Sequence, residues 1–322
     1  MGEIYNNYDI TLVITHKCNA RCIMCNSYEN SSCGQNEITI EDIEKIPASR
    51  FIQITGGEPC MRSDLESIVE ILSNKTKRLM INTNGFFTDK LVEICTKYPN
   101  LAIRISIDGN KDLHNEIRRI DIYDRAIESL KQLKKLGLSD LGISFTLQEK
   151  NYDQMLDVYE LALRTGVDFG VSIVHNSYYF SKEDNVIQNR ELLKDALKEL
   201  VKKELQSKRK KDWARAYFNE MSINYIDGKP MPVKCEAGIS SYTVECNGNV
   251  LPCNMTPTEW IMGNIKKQSW EEIMKSDEAI RVQEQCKNCR LNCWSMCNVQ
   301  SALKKKLWIP GIWLLKKKLR VP

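Results

Sequence analysis

The chain has 322 residues, 42% of them hydrophobic and 27% charged, with a net charge of +4. That length buries a full core and suits one large domain with a smaller one beside it, and so small a net charge makes no case for nucleic acid as a partner. The opening MGEIYNNYDI carries no basic-then-apolar signal segment and no run approaches the ~18 apolar residues of a membrane span, so the protein is expected in the cytoplasm. Thirteen cysteines in that reducing compartment read as ligands rather than disulfides. Three open the chain and seven lie between Cys235 and Cys297. Of the others, Cys95 sits in a helical pattern as a core thiol, while Cys33 and Cys60 have no assigned task.

Asp9–Thr15 alternates and then runs apolar, a first strand that delivers Cys18 to its carboxyl end. Cys18, Cys22 and Cys25 follow in C-x3-C-x2-C spacing. Three thiols so spaced can hold three irons of a cubane cluster and leave the fourth iron open. An open metal position can take a substrate, by the logic that separates catalytic from structural zinc sites. Part of a zinc site is the other reading of such a triplet. Thr39-Ile40-Glu41-Asp42 starts a helix with a capping-box carboxylate, and Phe51–Thr55 reads as the second strand. That strand runs into Gly56-Gly57-Glu58-Pro59. Paired glycines let backbone come close to a ligand, Glu58 adds a fixed acceptor and Pro59 stops the strand, although an ordinary tight turn has the same composition.

Helix 64–74, capped by Ser63, strand 78–82, helix 88–97 and strand 101–107 continue the alternation. Two strand ends carry polar runs, Asn82-Thr83-Asn84-Gly85 and Ser106-Ile107-Asp108-Gly109. In alternating β/α folds function collects at the carboxyl ends of strands, which places these residues around a ligand. Helix 122–136 ending at Gly137, strand 141–147, helix 152–165 ending at Gly166 and strand 167–174 complete six β/α units. Gln148, Asn151 and His175 fall at the mouth ends of strands five and six, His175 as a substrate contact, a proton carrier or a structural residue. Asn189–Asp212 reads as one basic helix, its apolar face on the barrel and its Lys-rich face solvated or set against an anionic surface.

The cysteine triplet followed one helix-length later by GGEP resembles the signature of the radical S-adenosylmethionine (radical SAM) enzymes. The resemblance implies an α/β fold, a partial (β/α)6 barrel with a wide mouth. It also implies that Cys18, Cys22 and Cys25 hold a catalytic 4Fe-4S cluster whose open iron chelates the methionine end of S-adenosylmethionine. One electron, from a donor such as flavodoxin or ferredoxin, then breaks the sulfonium bond, and the deoxyadenosyl radical abstracts hydrogen from a substrate. Gly56, Gly57, Glu58, Thr83, Asn84, Ser106 and Asp108 would line the cofactor. His114-Asn115-Glu116-Ile117-Arg118 resembles the H-D-x-x-R stretch of relatives with an extra cluster domain, with Asn115 in place of Asp, and brings Arg118 to the cofactor; a solvated helix start is the alternative. Met24 stands where the family usually has an aromatic residue, a soft filler in its place.

Cys235 opens a new composition. Ser241–Cys253 reads as a hairpin turning at Asn247-Gly248, Ser269-Trp270-Glu271-Glu272 caps a helix, and Cys286, Cys289, Cys293 and Cys297 close a region too small to fold on packing alone, so metal supplies part of its folding free energy. This region resembles the twitch and SPASM auxiliary-cluster domains of radical SAM enzymes. Cys235-x12-Gly248-x4-Cys253 fits their opening and Cys286-x2-Cys289 their second half, but the interval from Cys289 to Cys293 is shorter and no cysteine follows Cys297. At least one auxiliary 4Fe-4S cluster is implied, on Cys235, Cys253, Cys286 and Cys289, with Cys293 and Cys297 as alternatives and Cys246 the least secure. Zinc on closely spaced cysteines is the competing reading.

The expected organisation is a barrel over 1–230 that includes a basic helical connector at about 189–228, an auxiliary-cluster domain over 231–300 and a tail over 301–322. The tail sets Trp308 and Trp313 between lysine triplets. It reads either as a segment lying on an anionic membrane surface or as a strap packing its indoles on the barrel. Three functions fit these features. A sugar or lipid-linked glycan modifier, by oxidation or epimerisation, is favoured by the tail and by the lack of an N-terminal peptide-recognition domain. A maturase of a ribosomally made peptide is the second, and a non-catalytic iron–sulfur or zinc protein docking on a membrane or partner is the third.

Overall fold

The computed structural model describes residues 6–30, 36–256, 259–291 and 293–319. Cys33 and the side chain of Cys297 lie outside what is described. The first part alternates as expected: β1 (Asn6–Val13), α1 (Ile40–Glu44), β2 (Ser49–Thr55), α2 (Leu65–Ser73), β3 (Leu79–Thr83), α3 (Thr88–Lys97), β4 (Ala102–Ser106), α4 (Lys111–Arg118), α5 (Tyr123–Lys135), β5 (Leu141–Leu147), α6 (Met155–Thr165) and β6 (Asp168–Ile173). There follow α7 (Arg190–Gln206), α8 (Lys210–Ile226), β7 (Ser241–Val244), β8 (Asn249–Leu251), β9 (Gly263–Asn264), α9 (Trp270–Lys275), α10 (Asp277–Lys287), α11 (Met296–Lys305) and α12 (Trp308–Lys318).

Strands β6-β5-β4-β3-β2-β1 are neighbours in that order and all pair parallel, which helix crossovers make possible. Side chains alternate across each strand. One set, including Ile10, Leu12, Ile52, Ile54, Ile81, Ile103, Ile105, Ile143 and Phe145, packs under Ile68, Leu72, Leu91 and Ile94 of the helices. The other set points into the barrel, where Phe51, Met80 and Ala102 pack together and Arg104 pairs with Asp140 at 2.7 Å. Nearer the carboxyl ends the inner positions are Thr11, Gln53, Asn82, Ser106, Ser144, Thr146 and Ser172. These hydroxyls and amides line the mouth.

Three local expectations change. The cap of α2 is Asp64 rather than Ser63, and it makes no side-chain capping bond, because Arg62 holds its carboxylate at 2.6 and 2.8 Å. The basic helix does not run from Asn189 to Asp212. It stops at Gln206, where Ser207 turns extended, accepts from Arg209 N and donates to Asp212 at 2.6 Å, and α8 begins at Lys210. The hairpin forms as expected, with β7 and β8 antiparallel, but β7 also pairs in parallel with β1, Asp9 to Ser241 through Leu12 to Val244. It thereby extends the barrel sheet.

The tail divides between its two readings. Ser301 of α11 donates to Asp9 at 2.8 Å and accepts from Arg50 at 3.0 Å, fixing the helix to β1 and β2. Trp313 of α12 meets Tyr217 edge to face at 5.4 Å, and Lys317 pairs with Glu220 at 2.9 Å. The opposite face carries Trp308, Ile312, Leu315 and Leu319, exposed by 64%, 46%, 64% and 86%. Among the described residues no helix is long and apolar enough to cross a membrane.

Candidate functional site

The loop that leaves β1 is sewn down by backbone. Gly57 N donates to Thr15 O at 2.7 Å and Glu58 N to Lys17 O at 2.8 Å, while Arg21 N and Ile23 N donate to Arg118 O and Ile117 O at 3.1 and 2.9 Å. A Cβ on Gly57 would stand 2.3 Å from Lys17 O, and one on Gly56 2.4 Å from Thr15 O, so only glycine permits this approach. The result is that Cys18, Cys22 and Cys25, all half-buried, face one cavity of about 250 Å³. Burial pushes the Cys18 thiol up to about 12 and raises that of Cys22, against which the Arg118 guanidinium acts from 3.7 Å away.

Of the residues expected around a ligand, Gly56, Gly57, Thr83, Asn84, Ser106 and Arg118 line this cavity. Glu58 and Asp108 stand behind the wall, both fully buried. The Glu58 carboxylate accepts from Cys60 N at 3.1 Å, Thr83 Oγ1 at 2.8 Å and Asn84 N at 2.7 Å, so it shapes the turn that carries Thr83 and Asn84. Asp108 accepts from Arg118 Nε at 2.7 Å and Thr146 N at 2.8 Å, and so aims Arg118 at Cys22.

Asn151 is structural: it donates to Asp108 O and Thr146 O, both at 3.0 Å, and accepts from Gln148 N. Gln148 does not line the cavity. His175 does, with Nδ1 donating to Ile173 O at 2.9 Å and Nε2 buried without a partner among the described residues. Burial lowers its pKa, so a neutral ring presents an Nε2 lone pair to the cavity. Asn82 Oδ1 and Asn254 Oδ1 are likewise unpartnered cavity groups.

Sequence reasoning missed Tyr179, whose hydroxyl donates to Gly56 O at 2.5 Å and bonds Thr55 at 3.1 Å, clamping the glycine turn. A Tyr-Tyr-Phe run after β6 was the only signal. It also missed Asn254 and Ser295, which reach the cavity from the C-terminal region.

There Cys235, Cys253, Cys286, Cys289 and Cys293 converge. Burial pushes Cys253 up to about 12, with Cys293 and Cys235 adding to it, and Cys286 to about 12, with Cys235 and Cys289 adding. Cys246 is elsewhere, packed with Val13 and Tyr179. Cys60 and Cys95 are buried core thiols.

The family model of the radical SAM superfamily matches residues 12–178, about half of the chain. The chain belongs to the radical SAM superfamily. As a radical SAM enzyme it takes 4Fe-4S clusters and S-adenosylmethionine, which sets the non-catalytic reading aside. The cavity suits those radical SAM cofactors: three thiols open onto it beside a glycine cradle that a single Cβ would fill. A second family, SPASM, an iron–sulfur cluster-binding domain, matches residues 235–294, where the other thiols converge. The chain is 28% identical to a probable GTP 3',8-cyclase of Sulfurisphaera tokodaii, over 76% of this chain and 80% of that one. It is 22% identical to the sporulation killing factor maturation protein SkfB of Bacillus subtilis, over 89% of this chain and 70% of that one. Its radical SAM fold is similar to that of anSMEcpe solved with AdoMet and Cp18Cys peptide, at a TM-score of 0.63 and 15% identity, over 97% of this chain and 99% of that one.

Proposed function

We propose that this radical SAM enzyme modifies a peptide, by oxidation or epimerisation, at the cavity that gathers Cys18, Cys22 and Cys25. These three hold the catalytic cluster; Gly56, Gly57, Thr83, Asn84, Ser106 and Arg118 contact S-adenosylmethionine, with Glu58 and Asp108 positioning them. Cys235, Cys253, Cys286 and Cys289 hold the auxiliary cluster, with Cys293 and Cys297 as alternatives. Bound there, cluster and cofactor supply a carbon radical that takes a hydrogen atom from the substrate, with the electron coming from a flavodoxin or ferredoxin. The observation that carries this reading is one cavity lined at once by the three cysteines, by the strand ends and by Asn254 and Ser295 from the iron–sulfur region. Asn82 Oδ1, Asn254 Oδ1 and His175 Nε2 offer it uncharged acceptors that no described residue pairs. Such groups suit the N–H donors of a peptide backbone, since a buried acceptor left unpaired is costly. From sequence alone a sugar came first; the likeness to SkfB along most of its length supports the peptide.

The test is anaerobic incubation of the reduced, cluster-loaded protein with S-adenosylmethionine and a deuterated peptide encoded near its gene. Deoxyadenosine carrying deuterium is expected. Loss of hydrogen from the peptide marks oxidation, and solvent deuterium entering a light peptide at its stereocentre marks epimerisation. Deoxyadenosine formed without label, whatever the peptide, would remove the peptide reading.

A lipid-linked glycan is the second reading, favoured by α12. Trp308, Ile312, Leu315 and Leu319 fall within one narrow arc of this helix, beside exposed Lys316. An apolar stripe edged by lysine suits an anionic membrane surface, each lysine contributing about 1 kcal/mol there. Cutting the chain at Gln300 would also remove the Ser301 contacts to Asp9 and Arg50, so point changes are the better test. The full chain should pellet with phosphatidylglycerol vesicles and release in high salt, and Trp308→Glu with Leu315→Glu should stay in solution. Equal pelleting of both would end the membrane reading.

A further inference from the structure

Because β7 pairs in parallel with β1, the carboxyl ends of the two strands emerge side by side. Each strand leads into residues with ligating chemistry. His16, after β1, lies beside Glu245 and Cys246, after β7, with His16 Nε2 at 3.2 Å from Glu245 Oε2. The ligand atoms of His16, Glu245 and Cys246 all lie within 4.8 Å of one another. Glu245 and Cys246 are 2% and 4% exposed, and the second carboxylate oxygen, Glu245 Oε1, is buried with no hydrogen-bond partner among the described residues. Of the two carboxylate oxygens the imidazole meets Oε2, and Oε1 is left as a buried acceptor that a cation between the three side chains would satisfy.

We propose that His16 Nε2, Glu245 and Cys246 Sγ bind one divalent metal ion, zinc by the chemistry of the donors. An imidazole nitrogen, a carboxylate oxygen and a thiolate are a borderline-soft set that zinc takes at about 2.0–2.3 Å, which puts tetrahedral ligand atoms roughly 3.3–3.8 Å apart. The His16–Glu245 spacing of 3.2 Å falls just short of that range, and small rotations of the Glu245 and Cys246 side chains bring the three donors to it. Val13 and Tyr179 cover Cys246 with apolar contacts and limit water. Around the group, Thr15 Oγ1 donates to Glu37 at 2.5 Å, and Arg62 stands 3.9 Å from Glu37. Arg62 divides its charge between Glu37 and Asp64. A divalent cation against Glu245 and a Cys246 thiolate balances the charge locally, with both the Cys246 thiol proton and the proton that His16 Nε2 shares with Glu245 released on binding. The consequence is a staple. It ties the residue two before Cys18 to the hairpin that leads to Cys253, so it holds the cluster loop against the SPASM region.

The experiment uses the full chain with its iron–sulfur clusters assembled anaerobically, dialysed against a chelator and then analysed for iron, sulfide and zinc. About one zinc per chain is expected to remain, with an absorption-edge spectrum that shows one sulfur and otherwise nitrogen or oxygen neighbours. Cys246→Ser and Glu245→Gln should each lower zinc retention at least ~10-fold at unchanged iron and sulfide. Zinc with an all-sulfur shell would place the ion in the auxiliary cysteines and overturn the inference. So would a fully iron-loaded chain that keeps no zinc, or zinc unchanged in both variants. If the variants misfold, the wild-type shell still decides. Cleavage of S-adenosylmethionine, measured in parallel, reports on the proposed function independently of the zinc count.

Discussion

The Glu58 carboxylate accepts from Cys60 N, Thr83 Oγ1 and Asn84 N and reaches no solvent, so three donors depend on one side chain. Burial raises its carboxyl, with the hydrogen bonds from Asn84, Cys60 and Thr83 pulling the other way. Glu58→Gln keeps the shape but turns an N–H toward these donors. It should cost on the order of 2–3 kcal/mol in denaturant unfolding and weaken S-adenosylmethionine binding, because the Thr83-Asn84 turn loses its anchor. A variant with wild-type unfolding and wild-type affinity would show that the turn holds itself. Gly57→Ala acts by a different route. Its Cβ would meet Lys17 O at 2.3 Å, so the glycine turn and the cysteine loop must part. Iron incorporation after anaerobic reconstitution should fall while the far-UV spectrum stays, since the displaced loop carries Cys18.

Helices α7 and α8 face each other with Glu204 buried between them, its Oε2 accepting from Asn219 at 2.9 Å and its Oε1 unpartnered among the described residues. Burial raises this carboxyl from 4.5 to about 8. The folded chain therefore holds a proton that the unfolded chain releases above 4.5, and stability falls as pH climbs from 4.5 through 8. The loss across that window is on the order of 4–5 kcal/mol. Glu204→Gln should flatten the dependence and melt higher than wild type at pH 8; parallel melting curves across the window would count against a protonated Glu204. The same pair of helices shows where legibility stops. The capping boxes at Thr39–Asp42 and Ser269–Glu272 and the left-handed glycines 137 and 166 were readable, because their chemistry is local. The break at Ser207 was not, since Gln206 to Lys211 suit a helix. It is imposed from outside the run, by Trp213 Nε1 donating to Ser207 O at 2.7 Å and by Arg209 pairing with Asp168.

Across the whole molecule, the six-fold β/α alternation and the three-cysteine loop were legible because period and spacing are written along the chain. The pairing of β7 with β1 was not, for nothing within the hairpin names its distant neighbour. That pairing decides how the chain unfolds. Tyr242, Val244, Val250, Met262, Ile265 and Ile273 belong to the same apolar core as Ile10, Leu12 and Ile54. Tyr242 also meets Tyr8 at 5.2 Å and Trp270 at 5.3 Å, both edge to face, so the barrel's first strand and α9 share one aromatic group. Four register pairs join β1 to β7, and at about 0.5–1.5 kcal/mol for each backbone bond they are a large part of a domain's ~5–15 kcal/mol. The SPASM region and the barrel should therefore unfold together, in one calorimetric transition. Amide exchange at Ile10 and Leu12 should slow or quicken in step with Val244. Replacing Cys235 and Cys286 of the SPASM region with serine should speed exchange in β1 as well as in β7, because the sheet transmits the loss of the neighbouring strand. Two separated transitions, or a β1 that keeps its protection when β7 loses it, would mean that the shared core is divided at this seam and that the six-stranded barrel stands without the hairpin at its edge.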